Sequence, residues 1–274
     1  MLLVLALGLL WASVLAFVAI AMAVHGLSFA AAQRMVTSDP LPLGAAQLAA
    51  LAATIALGVW LGTPGETPRQ SLGITPARTR VLVTALLAGL AMQLPMIELM
   101  TALTHVFPVL ARPPEVDRAV EQLARIDSPI RAITVPFALV AVPAVTEELL
   151  FRGLILHALR ERYGASVAIL VSAVLFGLFH GERQALIFAT LMGLVFGILA
   201  VRARSTLPGI AMHAGFNALP VFLQRDVVSI TGFNDGSNDD VPWPWWVASA
   251  LVSALLLGLL AWLVREPPKT NQVS

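Results

Sequence analysis

The chain reads as an all-α, polytopic membrane helix bundle with about eight transmembrane helices, on three observations. Hydrophobic residues make up 58% of it and charged residues 12%, with a mean hydropathy of +0.84, far outside the range of soluble domains. Its apolar runs approach the length needed to cross a hydrocarbon core. Strict alternation of apolar and polar residues, the mark of a membrane β-barrel strand, is absent, and Ala, Leu, Gly and Val dominate, as where helices pack closely in lipid.

The runs place spans at about 1 to 24, 43 to 62, 80 to 103, 132 to 158, 165 to 180, 184 to 201, 206 to 223 and 244 to 264. The first resembles a signal peptide in ending at Ala21-Met22-Ala23. No Lys or Arg precedes it, however, and its apolar run is long, so it reads as a retained helix. Residues 104 to 131 form a long connection containing Arg112-Pro113-Pro114-Glu115, then an amphipathic stretch from Val116 to Ile126 suited to the membrane interface and able to cover a site. Residues 225 to 242 form an acidic polar loop through Asn234 to Asp240, without EF-hand spacing, and lead into the aromatic anchor Trp243-Pro244-Trp245-Trp246. No internal repeat or second soluble domain is visible. One membrane domain is expected, with N-terminal spans and the interfacial loop in 1–130, a polar-residue-bearing core in 131–223, and a loop, last helix and tail in 224–274.

Charge orients the bundle. With eight spans both termini share a side, and that side holds Arg69, Arg78, Arg80, Arg160, Arg162, Arg202, Arg204, Arg265 and Lys269. The other side holds Arg34, Arg112, Arg118, Arg125, Arg131, Arg183 and Arg225, four of them in one long loop. The bias puts both termini in the cytoplasm, in the plasma (inner) membrane. A net charge of +1 with no basic run gives no sign of nucleic-acid binding. Cysteine is absent, which removes disulfides, thiolate catalysis and Cys-ligated metal, so any metal here must use His, Asp or Glu.

Function is to be sought where ionisable groups enter these spans, because a charge at the bilayer centre costs at least about 2.5 kcal/mol even on lenient scales. Glu148 and Arg152 are four apart, share a helical face and can pair, whereas Glu147 is turned about 100° away. Paired carboxylates in a dehydrated cavity suit a general base that takes a proton from water. The competing reading, glutamates as interhelical glue, has the minority share, since apolar isosteres usually make as stable a core. His180 ends the fifth span one turn after Phe176, and Gly177 admits a neighbouring helix. His213 and Asn217 share a face of the seventh span and offer a metal ligand or proton donor and an amide for an oxyanion. For these groups to converge, either the fifth span is short and broken at Gly181, placing His180 deep, or the span limits lie several residues away. Glu98 is a weaker candidate for lining a cavity. His157, Arg160 and Arg162 read as boundary residues, and His25 and His105 as interfacial.

Glu147-Glu148-x-x-x-Arg152-Gly153, Phe176-x-x-x-His180 and His213-x-x-x-Asn217 resemble the three signature motifs of the CPBP family, the CAAX prenyl protease and bacteriocin-processing proteins also called Abi proteins. The resemblance covers about residues 130 to 223. It implies an intramembrane endopeptidase acting on a membrane-associated peptide or protein, prenylated or leader-bearing, at the lipid bilayer. In that family's terms Glu147 is the general base, supported by Glu148 and Arg152. His180 and His213 complete a water or metal site, and Asn217 stabilises the oxyanion. A Zn2+ site of Glu147, His180 and His213 and a metal-free glutamate mechanism both remain open. H-E-x-x-H, the stronger zinc signal, is absent. If Glu147 ligates metal, the base role passes to Glu148. Two rivals are a proton-coupled transporter, which the lack of an inverted repeat disfavours, and a non-catalytic immunity or scaffold protein of the same fold.

Overall fold

The computed structural model describes residues 2–62, 65–223, 229–231 and 241–265, and among these every regular element is helical. Apart from the one-turn helices Pro68–Ser71 and Pro108–Leu110, the helices are α1 (Leu2–His25), α2 (Phe29–Ser38), α3 (Pro40–Trp60), α4 (Thr79–Val106), α5 (Pro114–Ala124), α6 (Arg131–Tyr163), α7 (Ala165–Phe179), α8 (Arg183–Ala203), α9 (Leu207–Phe222) and α10 (Trp243–Leu263). Six of them are long and apolar enough to cross a membrane: α1, α3, α4, α6, α8 and α10. The eight expected spans all fall on helices, but α7 has only 15 residues and α9 only 16. At 1.5 Å per residue each measures about 23 Å, short of a hydrocarbon core of about 30 Å. The acidic loop and polar tail expected from sequence lie largely outside the described residues.

Burial sorts the helices. The most apolar window of α6 is 61% buried, against 17% for α1 and for α10, so α6 is central and the other two present most of their surface outward. Packed around α6 are α3, α7, α8 and α9, while α4 lies against both α9 and α10. Trp11, Leu15, Leu251, Leu255 and Trp262 are among the large apolar side chains left on the outside, the surface a lipid-facing protein presents. This is a polytopic helical membrane bundle.

Small residues set the closest approach. A Cβ added to Gly89 on α4 would strike the Met212 carbonyl, and one added to Gly215 on α9 would strike the Leu86 carbonyl. The two backbones therefore touch through reciprocal glycines, as close packing in lipid requires. Gly177 performs the same service between α7 and α8, where a Cβ would meet Thr190 and the Leu186 carbonyl.

Proline shapes the helices that carry the site. Pro220 in α9 has no N–H for the carbonyl of Phe216, and Gln93 on α4 donates its Nε2 to that oxygen at 3.0 Å instead. In α6, Pro143 cannot donate to the preceding turn, and just before it Phe137–Ala141 is a π-helical turn, with the Val142 N–H reaching five residues back to Phe137. A second π-helical segment, Leu149–Ile155, follows Glu148. Sequence periodicity alone reads α6 as an uninterrupted α-helix, since a π-turn shifts the register without changing the apolar pattern.

The loop helix α5 is nearly where the amphipathic stretch placed it and has no buried residue. Arg131 clamps its C-terminal end by donating to the carbonyls of Gln122, Leu123 and Arg125.

The reciprocal glycine contact is testable. Gly215→Val is expected to destabilise the detergent-solubilised protein by about 1 to 3 kcal/mol or more through overpacking. Gly258→Val, where a Cβ meets nothing within 4 Å, should leave the thermal midpoint unchanged. Equal effects would contradict the packing.

Candidate active site

Three of the expected residues meet at one oxygen. Arg152 Nη1 donates to Glu148 Oε1 at 2.9 Å, and His213 Nδ1 lies 3.3 Å from the same atom. Glu148 is fully buried, and Arg152 and His213 are buried too. The i, i+4 pairing read from sequence holds although the π-helical segment begins at Leu149. Arg152 Nη2 continues to the Gly193 carbonyl on α8 at 3.1 Å, so one guanidinium ties α6 to α8 while Glu148 ties α6 to α9.

Two glycines make room for this. A Cβ at Gly209 would lie 2.9 Å from Glu148 Oε2, and one at Gly193 would lie 3.2 Å from Arg152 Nη2. Glu148 Oε2 and Arg152 Nε are buried without a hydrogen-bond partner among the described residues.

Aromatic rings enclose the charge. The Arg152 Cζ stands 4.3 Å from the Phe176 ring centroid and 5.2 Å from that of Phe196, within cation–π range. Phe196 stacks on His213 at 5.1 Å, and Phe176 meets the edges of both His180 and His213. Phe176 thus spaces the two imidazoles and covers the guanidinium.

His180 caps the C-terminal end of α7, and Gly181 follows with φ 72°, so the span breaks at Gly181, the first of the two routes to convergence. His180 shares with His213 and Asn217 a cavity of about 50 Å³, also lined by Phe176, Phe188 and Phe216. His180 Nδ1 lies 2.9 Å from the Phe176 carbonyl, which can only accept, so this nitrogen carries the proton. His213 Nδ1 likewise faces a carboxylate. Among the described residues Nε2 of each ring has no hydrogen-bond partner.

Glu147, also buried, does not bond to this shared oxygen. Its Oε1 accepts from Gln47 Nε2 on α3 at 2.8 Å, and its Oε2 is buried without a partner. Neither an ion pair nor a hydrogen bond joins it to either histidine. Among the described residues no three His, Asp or Glu side chains are grouped as metal ligands would be. The set of Glu147, His180 and His213 therefore does not fit a metal ion in this arrangement.

At the rim, Glu182 caps α8. It accepts from the backbone N–H groups of Gln184 and Ala185 at 2.9 Å each, and Arg112 Nε of the loop before α5 lies 3.7 Å away. Burial alone pushes its carboxyl upward, but the two N–H donors and Arg112 outweigh that and hold it below the usual carboxylate range. The loop is thereby anchored two residues beyond His180.

Of the weaker candidates, Glu98 has one buried oxygen with no partner, His157 pairs with Glu161 at 3.5 Å, and Arg160, Arg162, His25 and His105 are exposed. Sequence reading missed Gln47, Gln93, Gly193, Phe196 and Gly209. Gln47 and Gln93 carried a signal, since each is a polar side chain inside an apolar span. Phe196 carried none.

The arrangement defines a helical membrane protein with a buried polar centre built from three helices, opening beside a small cavity lined by two imidazoles and an amide. Residues 129–219, which hold all six motif residues, match the model of the family described as type II CAAX prenyl endopeptidase, Rce1-like. The chain is also 33% identical over 87 residues to the putative membrane peptidase YdiL of Bacillus subtilis (strain 168). That stretch is 32% of this chain and 36% of the relative, so the likeness covers the minor part of each. No solved structure matches. Over residues 129–219 the chain is similar to this family of membrane proteases.

The buried pair yields a stability prediction. Arg152→Met, which leaves Glu148 buried without its cation, should cost about 3 to 5 kcal/mol in unfolding measurements, with much less lost when Glu148→Gln is added. An Arg152→Met protein as stable as wild type would contradict the described pairing.

Proposed function

We propose that this protein is an intramembrane endopeptidase that hydrolyses a peptide bond in a membrane-associated substrate, using water activated by a glutamate. The observation that carries the reading is the meeting of Glu148, Arg152 and His213 at one buried oxygen, beside the cavity that His180 and Asn217 line. A buried ion pair usually stabilises no better than apolar packing would, which favours a chemical role for it. The family match supports the same class of activity.

The division of labour follows from which atoms are committed. Glu148 is held by Arg152 and His213, so it fixes the imidazole and the positions of α6 and α9. Glu147 has one oxygen held by Gln47 and the other free of protein donors, which suits it as general base, with Gln47 orienting it. In the reaction Glu147 removes a proton from water, and the hydroxide oxygen adds to the substrate carbonyl carbon. Asn217 donates from its carboxamide to the resulting oxyanion, and the histidines hold the water through Nε2. Collapse breaks the C–N bond, and Glu147 returns the proton to the leaving amine. A prenylated or leader-bearing substrate, and a cytoplasmic location of both termini in the inner membrane, belong to the same proposal.

The test is cleavage of labelled membrane-associated peptides by purified protein in proteoliposomes, with metal content assayed on the same samples. Glu147→Gln should lower turnover by about 10²-fold or more while the thermal midpoint is kept. A folded Glu147→Gln protein with wild-type turnover would overturn the assignment, and stoichiometric zinc tracking activity would overturn the metal-free route.

A further inference from the structure

Between α8 and α10 lies a second, larger feature that the proposed reaction does not use. It is an open groove of about 230 Å³ between α8 and α10, floored by Met212 of α9. One wall is the stripe from Val195 to Arg202 on α8, and the other runs from Leu257 to Val264 on α10. Each stripe repeats at three- and four-residue spacing, so each is one helical face. Both lie toward the C-terminal ends of their helices, so the two helices run in the same direction here and end at the same membrane boundary.

The groove is apolar along its length and cationic at its end. Arg202 lines it, is exposed, and has no ion pair or side-chain hydrogen bond among the described residues. Arg265, also exposed, directly follows Val264 of the opposite wall. The turn after Arg202 is held rigidly: Ser205 Oγ donates to the Thr75 carbonyl at 2.7 Å, and the Thr206 N–H to that of Gly73 at 3.0 Å. A fixed apolar channel running about 10 Å along the helices and ending in guanidinium at the boundary complements one kind of molecule there. We propose that it binds an anionic phospholipid, with an acyl chain between α8 and α10 and the phosphate on Arg202. A guanidinium offers paired donors to phosphate oxygens, which a choline headgroup partly offsets by its own cation and phosphatidylglycerol does not.

The site is joined to the polar centre through its walls. Met212 precedes His213, and Val195 precedes Phe196, the ring stacked on that histidine. A bound lipid therefore supports the two helices that hold the imidazole, whatever reaction the centre performs.

Native mass spectrometry of the full chain, released from vesicles of equal parts phosphatidylcholine and phosphatidylglycerol, tests this. Wild type should retain one phosphatidylglycerol in preference to phosphatidylcholine, and Arg202→Gln should lower that preference by about fivefold. Arg202→Lys should keep most of it, and Arg160→Gln, at an exposed boundary arginine outside the groove, should keep all of it. Leu257→Trp, which fills the groove, should release the lipid with the thermal midpoint checked in parallel. Equal retention of both lipids by wild type, or equal losses in Arg160→Gln and Arg202→Gln, would overturn the proposal.

Discussion

The structure depends on a single buried ion pair. Glu148 and Arg152 are both shielded from solvent within the helix that the rest of the bundle surrounds, and neither charge would be tolerable there alone. Their mutual neutralisation is made possible by their four-residue spacing along one helix, but its consequences are tertiary. Nη2 of the guanidinium reaches the α8 backbone and the shared carboxylate oxygen reaches His213, so three helices are fixed relative to one another by two side chains.

Everything near that pair accommodates it. Gly193 and Gly209 withhold side chains where a Cβ would crowd the guanidinium and the carboxylate, and Phe176 and Phe196 supply π-faces in place of water. The same aromatic rings set the imidazoles in place, with Nδ1 of each engaged by a fixed acceptor. A polar centre in lipid thus becomes a positioned set of groups beside the small cavity that His180, His213 and Asn217 line.

Much of this was legible in sequence. Composition fixes the class, and the eight apolar runs fall on helices. The residues Glu147, Glu148, Arg152, His180, His213 and Asn217 stand out because ionisable and amide groups are expensive in lipid. What was hidden has physical reasons. The shortness of α7 and α9 is set by capping at His180 and by Pro208 and Pro220, which hydropathy averages away. The π-helical turns of α6 leave the apolar pattern intact. Phe196 looks like any core aromatic until the fold sets it on His213. The bond of Glu147 to Gln47, a hundred residues earlier, is a contact that no local motif contains.

The most direct measurement of the central claim is a double-mutant cycle between Glu148 and His213 on unfolding free energy, using Glu148→Gln and His213→Leu singly and together. The shared oxygen predicts a coupling of about 0.5 to 3 kcal/mol. Strict additivity of the two substitutions would mean that α6 and α9 are not joined at Glu148, and the polar centre described here would not stand.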